Sequence, residues 1–75
     1  MIVALEPPPP SLTEQATASL RRAILATRLP PGETVSETAA ATLTGLGKAP
    51  VRAALARLAD EGLVQPLPRR GWMVS

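Results

Sequence analysis

Glycines and prolines divide this chain of 75 residues into short segments, and this division limits the fold more than any other feature. Pro30-Pro31-Gly32 ends one segment, Thr44-Gly45-Leu46-Gly47 forms a turn, and Gly62 ends another segment. Proline lacks an amide donor and glycine favours turns, so helices stop at these points. A chain of this length forms one domain. The sequence therefore predicts a single small domain of short elements.

The first segment combines a helix start with an apolar stripe. Ser11 and Glu14 form a capping-box pattern. The apolar residues that follow at helical spacing are Leu12, Ala16, Leu20, Ala23 and Ile24. A helix is predicted over residues 12–27. Residues 1–10, which end in four prolines, are predicted to be a disordered lead-in, so that the domain spans residues 11–75.

A short extended segment is predicted over residues 33–35, and two further helices follow it. Ser36 is an N-cap residue for a short helix over residues 37–43. The third helix is predicted from Lys48 to Glu61, with Pro50 in its first turn, where a missing amide is tolerated. Its buried face consists of Val51, Ala54, Leu55 and Leu58.

The C-terminal part has the pattern of a β-ribbon. Leu63-Val64 begins one strand, residues 66–71 form a basic turn, and residues 72–74 return as the second strand. Trp72 is predicted to cover the core, with base stacking as the alternative. The predicted fold class is mainly α with a small β-ribbon: a winged helix-turn-helix of three helices plus a two-stranded wing.

Composition excludes several classes of function. The chain has no cysteine and no histidine, which excludes zinc sites built on these ligands and catalysis by a cysteine or histidine pair. The acidic side chains of Glu33, Glu37, Asp60 and Glu61 are interpreted as solvated. No stretch of 18 or more apolar residues occurs. We therefore predict a soluble intracellular protein that is not an enzyme and has no catalytic residues, metal, cofactor or membrane span.

Positive charge is concentrated in the second half of the chain. Residues 1–37 carry three Arg and four Glu, whereas residues 38–75 carry five cations and two acids. Lys48 and Arg52 are four residues apart and share one face at the start of the third helix. Clustered cations of this kind neutralise phosphates, and arginine also pairs with guanine. From charge and spacing alone, a solvated helix face is an equally good interpretation of Lys48 and Arg52 as a DNA contact.

Weaker basic signals lie elsewhere on the same elements. Arg57, further along the third helix, is a candidate for a phosphate contact. Arg69, Arg70 and Gly71 lie at the tip of the predicted ribbon, where the two arginines would reach a minor groove or a phosphate. Gly71 is predicted to permit a tight turn and a close backbone approach. An exposed turn that keeps the chain soluble is the alternative for this pair of arginines.

The spacing of these segments resembles that of a known family. The matching segments are Leu29-Pro30-Pro31-Gly32-Glu33, Val35-Ser36-Glu37, Pro50-Val51-Arg52-x-Ala54-Leu55-x-x-Leu58-x-x-Glu61-Gly62-Leu63-Val64 and Pro68-Arg69-Arg70-Gly71-Trp72-x-Val74. Together they resemble the GntR family of bacterial transcription regulators and its FadR-like branch. The resemblance covers residues 12–75 and implies a winged helix-turn-helix that binds DNA. Members of the family usually continue into a C-terminal domain that binds an effector and dimerises.

The resemblance also implies particular contact positions. The family has basic residues at the positions of Thr38, Lys48 and Arg52, of which this chain keeps the arginine only at Arg52. It often has serine or threonine where Gly47 stands. The residues expected to contact DNA are Ser36, Thr38, Lys48, Ala49, Pro50, Arg52, Arg57, Arg69, Arg70 and Gly71.

The leading prediction is sequence-specific DNA binding as the DNA-reading domain of a GntR-type transcriptional regulator. The third helix would enter the major groove, and the wing would meet the minor groove or backbone. The expected partner is double-stranded DNA with a palindromic operator, read by a homodimer of the full-length protein in the bacterial cytoplasm, at the nucleoid. The alternative is a winged-helix module that binds another protein without strong DNA specificity.

Overall fold

The computed structural model describes residues 9–75. The elements in chain order are α1 (Leu12–Leu25), β1 (Thr34–Val35), α2 (Glu37–Thr44), α3 (Lys48–Asp60), β2 (Val64–Leu67) and β3 (Gly71–Val74). Residues 1–8 of the predicted disordered lead-in lie outside the described residues. The mainly helical class with a small sheet is confirmed. No helix among residues 9–75 has the length and apolar character needed to cross a membrane.

Side-chain caps fix the starts of the first two helices. The hydroxyl oxygen of Ser11 accepts the amide of Glu14 at 3.1 Å. That of Ser36 accepts the amide of Ala39 at 3.0 Å. Both serines have the extended backbone that an N-cap position requires. The two helices therefore begin where the sequence predicts.

Helix α1 ends two residues earlier than predicted. Ala26 is its C-cap, and Thr27 adopts the left-handed conformation with φ of 57°. The amide of Arg28 then donates to the carbonyl of Ala23 at 2.9 Å, which closes the helix end. The left-handed residue stops the helix before the proline pair is reached.

The sheet has three antiparallel strands rather than two. β3 is its central strand, with β2 on one side and β1 on the other. Thr34 pairs with Met73, and Val35 pairs with Trp72. The short extended segment predicted at residues 33–35 forms β1. Its place as a third strand beside the ribbon was not predicted, because its partners on β3 lie 37 and 39 positions away in the sequence. Pro66 lies on β2, an edge strand, where its missing amide removes no bond from a central ladder.

A thin aliphatic core joins the helices to the sheet. Its largest fully buried side chains are Leu20, Val51, Leu55, Leu58 and Val74. All four residues predicted for the buried face of α3 are buried. Trp72 is partly buried and packs against this core, in agreement with its predicted covering role. The helices and the wing therefore share one core.

The cap of α2 gives a first test of the fold. We expect Ser36→Ala to lower the free energy of unfolding by about 1 kcal/mol, because the amide of Ala39 loses its acceptor. Ser36→Asp, which keeps an acceptor oxygen at the N-cap, should retain stability. Urea denaturation of the three proteins measures both effects. Equal losses in the two variants would contradict the capping role.

Candidate nucleic-acid interface

An open groove of about 530 Å3 lies where the N-terminal ends of α2 and α3 meet the wing. Its lining residues are Ser36, Glu37, Thr38, Lys48, Pro66, Leu67, Arg69, Arg70, Gly71 and Trp72. Six of the ten residues predicted to contact DNA are among them. The fold thus brings together residues that are up to 35 positions apart in the sequence.

The remaining four predicted residues lie on α3. Ala49 and Pro50 follow Lys48 in the first turn, and Arg52 is one turn further along. Arg57 lies in the last turn of the helix. Ala49, Pro50 and Arg52 therefore lie near the end of α3 that borders the groove. Arg57 lies about 14 Å along the helix axis from Lys48, because each helical residue rises by about 1.5 Å.

Gly71 attaches the wing to the segment before α2. Its φ is +89°, in the region that favours glycine. A Cβ atom at this position would lie 2.6 Å from the carbonyl oxygen of Val35 and 3.2 Å from the Cα of Ser36. Gly71 therefore allows a backbone approach that no other residue permits. The wing tip is held beside the N-terminus of α2.

The N-terminal ends of the two helices present different donors to the groove. The hydroxyl oxygen of Ser36 accepts the cap bond, so its proton is available to donate to another group. The N-cap of α3 is Gly47, which supplies no side-chain acceptor. The amides of the first turn of α3 are therefore not capped by that residue's side chain. A helix end of this kind attracts an anion.

Three cations line the groove. Among residues 9–75, Lys48, Arg69 and Arg70 have no carboxylate within ion-pair distance. All three are exposed. Arg69 adopts a left-handed backbone with φ of 61° at the turn between β2 and β3. The groove is therefore a positively charged surface formed by α3 and the wing.

Glu37 is the acidic residue among the described groove residues, and Arg52 neutralises it. The Arg52 Nε donates to Glu37 Oε1 at 2.9 Å, and its Nη2 donates to Oε2 at 3.0 Å. These hydrogen bonds lower the pKa of Glu37, with a smaller contribution from the nearby charge of Lys48. The same bonds raise the pKa of Arg52. The carboxylate is therefore ionised at neutral pH and joins the first turn of α2 to α3.

Glu37 is not among the residues that the sequence predicts for the site. Its side chain was interpreted as solvated, because no local pattern reveals a partner 15 residues away on another helix. Glu61, also treated as solvated, forms a similar two-bond pair with Arg21 of α1, with one bond of 3.1 Å from Arg21 Nε. This second pair lies at the C-terminal end of α3 and takes no part in the groove.

The comparison with protein families decides the identity of the domain. The family described as "Bacterial regulatory proteins, gntR family" matches residues 12–74. The chain belongs to the GntR family. This match confirms the resemblance carried by the proline, glycine and arginine segments, while assignment to the FadR-like branch stays a prediction.

Individual relatives are regulators of the same type. The chain is 45% identical over 56 residues to an HTH-type transcriptional regulator in an unstable DNA locus of Streptomyces ambofaciens, covering 75% of this chain and 24% of the relative. It is 37% identical over 68 residues to the HTH-type transcriptional regulator YdfH of Escherichia coli, covering 91% of this chain and 30% of the relative. The matched region thus spans about a quarter to a third of these relatives' length.

A solved structure supports the same fold. A GntR-family transcriptional regulator from Pseudomonas syringae superposes with a TM-score of 0.71 at 31% identity, covering 85% of this chain and 27% of that protein. Family membership and these relatives support a DNA-binding function in transcription regulation. They do not favour the protein-interaction alternative, and they imply a role other than catalysis.

Proposed function

We propose that this GntR-family domain reads operator DNA sequence-specifically. The observation that carries the proposal is that Lys48, Arg69 and Arg70 share one groove with the N-terminal ends of α2 and α3. Cations and helix N-termini are the groups that fix a protein on phosphates. α3 enters the major groove, as the second helix of a helix-turn-helix does, and the wing lies on the minor groove or backbone.

Each element has its own role in this proposal. Lys48 and Arg52 contact base edges and nearby phosphates, and Ala49 and Pro50 allow the first turn of α3 to approach closely. Ser36 and Thr38 donate hydroxyl protons to phosphates. Arg57 contacts a phosphate further along the duplex. On the wing, Arg69, Arg70 and Gly71 engage the minor groove or the backbone.

Two copies of the domain read a palindromic site in this proposal. The two-fold symmetry of a homodimer matches two half-sites related by the same symmetry. The relatives are about three times as long as this chain, since 56 and 68 aligned residues make up 24% and 30% of their lengths, which leaves room in such a protein for a dimerisation domain. The proposed location is the bacterial cytoplasm, at the nucleoid.

Selection from a random duplex library, followed by a salt titration, tests the proposal. We expect a short palindrome to be selected over a scrambled duplex of equal length. If four phosphates are neutralised, the slope of log affinity against log salt concentration is roughly −3.6. Equal affinity for every duplex would contradict sequence-specific reading. An affinity that does not change with salt would favour an apolar protein interface.

A further inference from the structure

The pair between Arg52 and Glu37 uses one particular edge of the guanidinium group. Arginine has two edges that each offer two parallel donors: one formed by Nε and Nη2, and one formed by Nη1 and Nη2. Glu37 binds Nε and Nη2, at 2.9 and 3.0 Å. The terminal edge, formed by Nη1 and Nη2, keeps one free proton on each nitrogen. Arg52 can therefore bind a second planar acceptor without leaving Glu37.

Most of the Arg52 side chain remains exposed beside this pair. The side chain of Arg52 is 66% exposed, although both of its bonds to Glu37 are formed. The side chain of Glu37 is 29% exposed and lies in the first turn of α2. The carboxylate is thus the fixed partner, and the guanidinium is the partner that faces solvent. The two bonds to Glu37 restrict the side-chain rotations of Arg52, while most of its side chain stays exposed.

We propose that Glu37 is a specificity-determining residue that positions Arg52 to read guanine. The inference rests on the proposed DNA-reading function. Guanine offers two acceptors, O6 and N7, to the major groove, and two parallel donors match them; adenine offers one acceptor and one donor. An arginine without Glu37 would turn to the nearest phosphate, which any sequence supplies. The negative charge of Glu37 also repels phosphates, so it lowers general affinity while it increases discrimination.

Glu37→Gln tests the positioning role, and Glu33→Gln is the matched control. Both substitutions remove one negative charge from an acidic residue that lies within four positions of β1. We expect Glu37→Gln to reduce the ratio of affinities for the selected and scrambled duplexes by about 10-fold. Binding to the scrambled duplex should become tighter, and binding to the selected duplex should lose one bidentate base contact. Glu33→Gln should keep the wild-type ratio.

Replacing guanine by 7-deazaguanine at the contacted position makes the test specific. This base lacks the N7 acceptor, so wild-type affinity should fall about 10-fold, since a bidentate pair is reduced to one bond. Glu37→Gln should be affected much less by the same base change. The Nε–H proton NMR signal of Arg52 in the free protein, protected from exchange in the wild type, should lose its protection in Glu37→Gln.

The outcomes separate this inference from the function on which it rests. If the wild type binds all duplexes equally, the proposed function fails and the inference fails with it. If the wild type discriminates, and Glu37→Gln keeps both the affinity ratio and the response to 7-deazaguanine, the inference alone is overturned. A reduced ratio with loss of Nε–H protection supports it.

Discussion

Replacing Gly71 with alanine is expected to lower the free energy of unfolding by about 2–4 kcal/mol. The loss has two causes: the strain of a non-glycine residue in a left-handed conformation, and the displacement of packed backbone by the added Cβ. The added Cβ would lie 2.6 Å from the carbonyl oxygen of Val35, and backbone cannot rotate away as a side chain can. The wing must therefore separate from the start of α2. For a domain with a core this small, such a loss is a large part of its stability.

Gly32→Ala is the matched control for this effect. Gly32 has a nearly equal φ of +86°, but a Cβ at this position would meet no atom within 4 Å. It should therefore show the conformational strain alone, about 1–2 kcal/mol. Thermal and urea unfolding of the two variants measure the difference. Equal destabilisation by both substitutions would show that the close approach of the wing to Val35 contributes nothing.

Arg52→Ala is expected to weaken binding to the selected duplex by about 10- to 100-fold, which is the effect of losing one bidentate contact to a base. Binding to scrambled DNA should fall less, because the other cations of the groove remain. The loss also leaves the carboxylate of Glu37 unpaired beside the phosphates. Fluorescence anisotropy with both duplexes measures the two affinities at fixed salt concentration.

Two further variants separate the contributions to this loss. Arg57→Ala removes a cation from the same helix, and it should weaken binding to all duplexes similarly and reduce the magnitude of the salt slope by about 1. The double substitution Arg52→Ala with Glu37→Gln removes the unpaired charge, so it should recover part of the affinity for scrambled DNA. If Arg52→Ala binds the selected duplex as tightly as the wild type does, Arg52 has no role in base reading.

Local patterns made the helices of this domain predictable. Ser11 and Ser36 cap α1 and α2 because a serine side chain satisfies an amide only two or three residues away. The buried face of α3 follows from helical spacing of Val51, Leu55 and Leu58. The cations at the start of α3 and on the wing were recognised in the same way, from residue type and spacing.

Features that depend on residues far apart in sequence were not predictable. The extended segment at residues 33–35 was predicted, but its pairing was not, because Val35 and Trp72 are 37 positions apart. The partner of Glu37 is on another helix, so its acidic side chain looked like any solvated one. The glycine at position 71 was assigned to a tight turn and close approach, but its contact with Val35 needed the three-dimensional structure.

The central position of β3 has a thermodynamic consequence for recognition. β3 is hydrogen-bonded on both sides, and the amide of Val74 also donates to the carbonyl of Glu33 at 2.9 Å. A loose hairpin would lose conformational entropy when it ordered on a duplex, and that loss would oppose association. Here the ordering occurs during folding, so in the proposed complex the wing and helices would meet DNA as one preorganised body. Changes in the wing sequence would then alter the proposed contacts with little change in the entropy of docking.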